Sequence, residues 1–190
     1  MTQITDECGS IAGAMADFLP AHTRFRFCPQ CGANGGTVTG RTFDCETCGF
    51  HLHFNATVSA SVLLVRGEGA MLFIRRARQP SRGKLAFPGG FVDPNEPAEV
   101  AALRELQEEV GLTLIKTVFQ SSHPNHYFYK GLIYPVCDLF FVARTEQSDL
   151  KLAEDEATDA LWLDPMTLDL GELAFPSMRE ALLVYRKKNT

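Results

Sequence analysis

The sequence predicts an α+β protein: several strands, an acidic helix in the middle, an amphipathic helix at the end, and a small cysteine module in front. Three observations carry this. Apolar, β-branched or aromatic runs recur at residues 57–65, 70–76, 114–120 and 126–143, with ALWLD after them. A helical pattern opens at Pro97 and closes at Gly111. Two C-x-x-C pairs, Cys28 with Cys31 and Cys45 with Cys48, stand thirteen residues apart.

The length of 190 residues suits one medium domain plus a small module. The expected division is an N-terminal arm at 1–24, a metal-binding ribbon at 25–55 and the main domain at 56–190. A net charge of −5 disfavours a dedicated nucleic-acid binder, which needs a basic face. No apolar run reaches the length of a membrane span. The first ten residues, MTQITDECGS, carry acidic residues where a signal peptide carries basic ones, so a cytoplasmic protein is expected.

In chain order, residues 1–24 show a weak helical pattern around Ile11, Ala14, Met15 and Phe18, ended by Pro20. In the cysteine module, Gly32 and Gly49 follow the two pairs and let the backbone turn back over an ion. Four thiolates at this spacing suit one tetrahedral Zn²⁺. Four cysteines close the coordination sphere, so the zinc is structural. A redox C-x-x-C and chance thiols are the competing readings. His51 and His53 could replace cysteine ligands, but they alternate with Leu52 and Phe54 as residues of a strand do. Of the two remaining cysteines, Cys8 has no assigned role, and Cys137 in YPVCDLFFVA reads as a buried small hydrophobe.

The strands at 57–65 and 70–76 are joined by the glycine-rich turn Arg66–Gly69. A basic stretch follows, with Arg75, Arg76, Arg78, Arg82 and Lys84. A solvated loop is the ordinary explanation for such a run. Its position before the acidic helix singles out Arg76 and Arg78 as candidates to meet substrate phosphates. Within the helix, Glu105, Glu108 and Glu109 stand at i, i+3 and i+4 and share one face, while Leu103, Leu106 and Val110 form a core stripe opposite. Like charges so placed repel one another, and a hard cation such as Mg²⁺ or Mn²⁺ offsets that. Further on, Pro124 and Asn125 are expected to break the strand run, and His123 and His126 read as polar surface. Residues 150–157 form a second acidic cluster. The chain closes on an amphipathic helix with Met178, Ala181, Leu182 and Tyr185 on one side.

From Gly90 to Leu112 the residues fit G-x5-E-x7-R-E-U-x-E-E-x-G-U, with U aliphatic. Accidental agreement at the seven fixed letters is on the order of once in a million. The stretch resembles the Nudix box, and the resemblance covers about residues 56–188. It implies an α/β/α sandwich with a mixed sheet, the box forming a loop–helix–loop beside it. It also implies a hydrolase that cleaves a nucleoside diphosphate linked to another group. Glu105, Glu108 and Glu109, with the Gly89 carbonyl, would hold catalytic Mg²⁺ or Mn²⁺, Arg104 would orient a carboxylate, and Glu96 would brace the loop. Glu105 and Glu156 are the two candidate bases.

The ribbon resembles that of the NADH pyrophosphatase branch. However, the SQPWPFPxS signature of that branch is replaced here by FQSSHPNHYFYKGLIYPV, and the tail is similar to shorter zinc-ribbon members, among them plant enzymes that cleave FAD and ADP-ribose. Asn95 stands where glycine is common, and Leu85 where tryptophan often precedes the PGG turn. The resemblance thus implies FAD, NAD(H) or ADP-ribose as substrate class, cut to a nucleoside monophosphate. A house-cleaning nucleoside triphosphate pyrophosphohydrolase and a non-catalytic nucleotide-binding regulator are the alternatives. The expected partner is a nucleotide-derived small molecule, with no membrane and no nucleic acid; a homodimer stays open.

Overall fold

The computed structural model describes residues 19–67 and 69–190. The helical pattern at Ile11–Phe18 and Cys8 lie outside the described residues. The chain forms two compact units, one from residues up to Asn55 together with Phe128–Tyr134, the other from Ala56–Tyr127 and Pro135–Thr190.

In the first unit, β1 (Leu19–Pro20) pairs in parallel with Leu132–Ile133 and leads into a short 3₁₀ turn, Ala21–Arg24. A three-stranded antiparallel sheet follows: β2 (Thr37–Thr39), β3 (Thr42–Asp44) and β4 (His51–His53). Strand alternation gives it two faces of opposite character. Val38, Phe43 and Leu52 face a small core with Cys28, Cys45, Phe50 and Phe54. The other face carries Thr37, Thr39, Thr42, Asp44, His51 and His53.

The second unit is built on β5 (Thr57–Arg66), whose residues Ala60 to Val65 are buried without interruption. A run buried on both faces marks a central strand. It pairs in parallel with β10 (Leu132–Thr145) and antiparallel with β6 (Ala70–Arg76) and β8 (Gly89–Phe91). β6 also takes β7 (Leu85–Ala86) and β11 (Ala157–Leu163), both antiparallel. The sheet is therefore mixed, as expected. The first helix, α1 (Ala98–Val110), and the last, α2 (Pro176–Asn189), contribute to the same hydrophobic core. Met178, Ala181, Leu182 and Tyr185 are the buried apolar positions of α2, in agreement with its sequence pattern. Among the described residues, no helix is long and apolar enough to cross a membrane.

Three expectations are corrected. The strand predicted at 114–120 starts only at Val118, and β9 (Val118–Tyr129) runs unbroken through Pro124 and Asn125. Among the described residues its strand partner is β10 alone. On such an edge strand the missing proline N–H costs no ladder bond. The reversal falls at Lys130–Gly131, where φ is positive at both residues, 48° and 77°, as a two-residue hairpin turn requires. Cys137 is half-buried rather than fully buried.

Candidate metal and active site

Pro97 precedes α1, and its carbonyl accepts from the Val100 and Ala101 amides. Gly111 ends the helix in the left-handed conformation, φ 73°, its N–H donating to Gln107. The buried residues of α1 are Ala101, Ala102, Leu106, Glu109 and Val110. This arc is wider than the stripe expected from sequence: it takes in Glu109, while Leu103 is only half-buried.

Close approach of backbones brings the carboxylates inward. A Cβ on Gly90 would lie 2.5 Å from the Glu105 carboxylate, so only glycine lets β8 come this near α1. The Gly89 N–H donates to Glu109 Oε2 at 2.8 Å. At the far end of the helix, the Lys151 and Ala153 amides donate to the carbonyls of Val110 and Glu109 at 2.9 and 3.0 Å. These bonds dock the 150–156 loop on the helix C-terminus, satisfying carbonyls that have no partner within the helix. The loop is pinned to the end of β6 as well, where the Ala77 N–H donates to the Glu156 carbonyl at 2.9 Å. As a result, carboxylate oxygens of Glu105, Glu109 and Glu156 all lie within 4.8 Å of one another.

Glu108 is placed differently. Its side chain is 58% exposed and accepts from Arg104 Nη1 at 3.0 Å. Arg104 also binds Glu96 through two parallel bonds of 2.9 Å, Glu105 at 2.8 Å and the Phe91 carbonyl at 3.1 Å. It therefore ties the box loop to the helix. Of the two basic candidates, Arg76 donates from Nε to the Pro80 carbonyl at 2.9 Å and lies over the Phe175 ring. Its positive charge is felt at Glu109. Arg78 pairs with Asp155 at 2.5 Å, on the same loop as Glu156.

The electrostatics follow burial. Removal from water pushes the Glu109 carboxyl up to about 8, against the pull of the Gly89 N–H, and Glu105 and Glu156 add repulsion. Burial raises Glu105 too, despite Arg104. The Arg104 bonds hold Glu96 below the usual carboxylate range. A buried anion with like charges around it is a costly arrangement, and a hard cation among its oxygens relieves it. The donor set fits Mg²⁺ or Mn²⁺.

The cysteines of the first unit form a second cluster. Sγ–Sγ distances are 3.7 Å for Cys28–Cys48 and 3.8 Å for Cys31–Cys45. Tetrahedral thiolates at the usual zinc–sulfur distance lie about 3.8 Å apart. The Gly32 and Gly49 amides turn back onto the Cys28 and Cys45 carbonyls at 2.9 Å, the matching knuckles that the glycines made expected. The Cys48 backbone N–H brings the Cys45 thiol down to about 6, while, against the pull of the Phe50 N–H, burial and the neighbouring thiols push Cys48 up to about 12, as crowded thiols sharing protons do until a cation replaces them. All four thiols are free and could hold one Zn²⁺.

Some of this was not legible beforehand. Lys151 lies where a Cβ on Gly111 would come within 2.9 Å of it, a contact without local signal in the sequence. Asp138, buried between Ser59 Oγ at 2.6 Å and Ser177 Oγ at 2.5 Å, was likewise hidden inside an apolar run.

A box helix beside a mixed sheet, with converging carboxylates suited to a divalent cation, defines the class as an α+β domain with a candidate metal site. The NUDIX domain model matches residues 55–183, more than half of the chain, and the chain belongs to the Nudix hydrolase family. It is 31% identical over 140 residues to an NAD-capped RNA hydrolase NudC from Pseudomonas aeruginosa, covering 72% of this chain and 47% of the relative. Against the protein of that name from Deinococcus radiodurans it is 27% identical, covering 90% and 59%. The chain thus spans about half the length of the curated relatives it matches. A Nudix hydrolase structure from Nitrosomonas europaea superposes with a TM-score of 0.67 at 21% identity, covering 86% of this chain and 92% of that one, and shares the fold.

Proposed function

We propose that this protein is a Mg²⁺- or Mn²⁺-dependent hydrolase that cleaves the pyrophosphate bond of a nucleoside diphosphate linked to another moiety, of FAD, NAD(H) or ADP-ribose type, releasing a nucleoside monophosphate. The observation that carries this reading is the convergence of Glu105, Glu109 and Glu156. When bound there, a divalent cation supplies neutralisation of the diphosphate and activation of the attacking water. Glu105, Glu109 and Glu156 would hold it, and Glu108, once turned from Arg104, and the Gly89 carbonyl would be further oxygen ligands.

Arg104 fixes Glu105 by a charge-assisted bond and, through Glu96, keeps the box loop in place. Glu156 or Glu105 accepts the proton of the water; at Glu105, burial raises the affinity for protons, which suits that task. Arg76 and Arg78 neutralise the non-bridging phosphate oxygens. Arg78 exchanges Asp155 for phosphate to do so. The zinc of the ribbon is structural, since four thiolates leave no open position. Cysteines given to a metal rather than to disulfides accord with a reducing, cytoplasmic setting.

The names of the relatives favour NAD-type ends, so the 5′ end of an NAD-capped RNA joins the free dinucleotides as a candidate substrate. The test is a Mg²⁺ panel of FAD, NADH, NAD-capped RNA, ADP-ribose and deoxynucleoside triphosphates, read by product mass. Predominant release of pyrophosphate from triphosphates overturns the dinucleotide reading.

A further inference from the structure

We infer that the polar face of the β2–β3–β4 sheet carries a second, exchangeable site for a divalent transition metal, formed by His51 and His53 and oriented by Asp44. The site is separate from the four-cysteine cluster and from the carboxylates of the box.

The sheet register creates it. Asp44 stands opposite His51, and Thr42 opposite His53. His51 and His53, two residues apart on β4, project on the face away from the Phe43 core. Asp44 Oδ1 is 2.5 Å from His51 Nδ1. A carboxylate only accepts, so the proton resides on Nδ1, and the Nε2 of neutral His51 carries a bare lone pair. That nitrogen lies 3.0 Å from His53 Nε2, and the two rings meet edge to face, 77° apart.

A carboxylate–imidazole bond behind a ring nitrogen is the arrangement that orients metal-bound histidines and raises their basicity. Two nitrogens bound to one ion at right angles, each at about 2.1 Å, lie about 3.0 Å apart. The observed spacing therefore suits two adjacent positions of a tetragonal or octahedral ion. Imidazole selects the later divalent transition metals, Ni²⁺ and Cu²⁺ among them, over Mg²⁺. The side chains of His51 and Asp44 are 46% and 53% exposed, which leaves the other positions to water and makes the ion exchangeable. At 3.0 Å the His53 Nε2–H donates to the bare His51 Nε2, and an ion takes that place as the His53 proton moves to Nδ1, leaving both Nε2 lone pairs for the metal.

The test uses untagged, zinc-replete full-length protein in saturating Mg²⁺, which occupies the carboxylate site. Ni²⁺ is titrated by calorimetry, with zinc content measured before and after. The expected result is one added Ni²⁺ per chain. His51→Ala and His53→Ala weaken binding at least tenfold, and Asp44→Asn weakens it about tenfold. His126→Ala, which alters an exposed histidine elsewhere, leaves it unchanged. In the wild-type protein, Ni²⁺ broadens the imidazole proton resonances of His51 and His53 before those of His126, a readout independent of any variant's folding. Equal Ni²⁺ uptake by wild type and the His51→Ala/His53→Ala double variant overturns the site. So does broadening that begins at His126.

Discussion

Arg104 grips Glu96 through two parallel bonds, Nε to Oε1 and Nη2 to Oε2, each 2.9 Å. The pair joins α1 to the loop before it, and the same guanidinium reaches Glu105, so one side chain sets the position of a carboxylate in the cluster. Lysine keeps the charge but cannot supply the fork. We predict that Arg104→Lys lowers kcat/KM at least about tenfold at fixed Mg²⁺, the loss typical of disturbing a partner that orients a metal ligand. An unchanged kcat/KM and unchanged Mg²⁺ dependence would refute the positioning role.

Glu109 gives a pH prediction. Its folded-state pKa, about 8, is raised above the ordinary carboxylate value, so the folded protein holds this proton more tightly than the unfolded chain does. In metal-free protein, stability contributed here falls as pH rises from about 4.5 to 8. Glu109→Gln should therefore be the more stable protein at pH 8 without metal, and the difference should vanish near pH 4.5. Urea denaturation in EDTA at several pH values measures it; a gap independent of pH contradicts the assignment.

The same proton competes with the cation. Apparent Mg²⁺ affinity should rise with pH and level off near 8, by up to about tenfold per pH unit for one displaced proton. Calorimetric titration of the wild type checks the slope, which should flatten in Glu109→Gln.

Glu108→Gln tests whether the exposed carboxylate joins the site. It should remove most hydrolysis while the fold persists, since the change is nearly isosteric and deletes one charge; loss of a principal metal ligand costs several kcal/mol of transition-state stabilisation, on the order of a hundredfold or more in rate. A folded variant with near wild-type kcat/KM would leave Glu108 as Arg104's partner and nothing more.

One Zn²⁺ per chain is expected from elemental analysis of protein purified without chelator. Cys45→Ser should lose it and Cys8→Ser should not. The reverse pattern would disprove the four-cysteine site.

Gly111→Ala should affect catalysis more than stability. The left-handed φ and the approach of Lys151 make the substitution costly by about 1–2 kcal/mol. The displaced segment is the one that ends in Glu156. A drop in kcat exceeding the fall in melting temperature, relative to a control substitution on the exposed face of α1, is the expected result.

Short-range spacing determined much of this protein. The turn at Gly111, the i, i+3, i+4 glutamates and the glycine-terminated C-x-x-C pairs depend on residues a few positions apart, where bond geometry leaves few choices, and the box and cysteine pairs were legible for that reason. The resemblance also pointed to Glu156. Long-range packing decided what local pattern could not: that Glu109 is buried, that Glu108 turns to Arg104, that β9 runs through Pro124, and that His51 Nε2 faces His53 Nε2 with Asp44 behind it. These features depend on which strand ends at an edge and how closely glycine lets two backbones approach, and such distances are set by contacts between residues far apart in sequence.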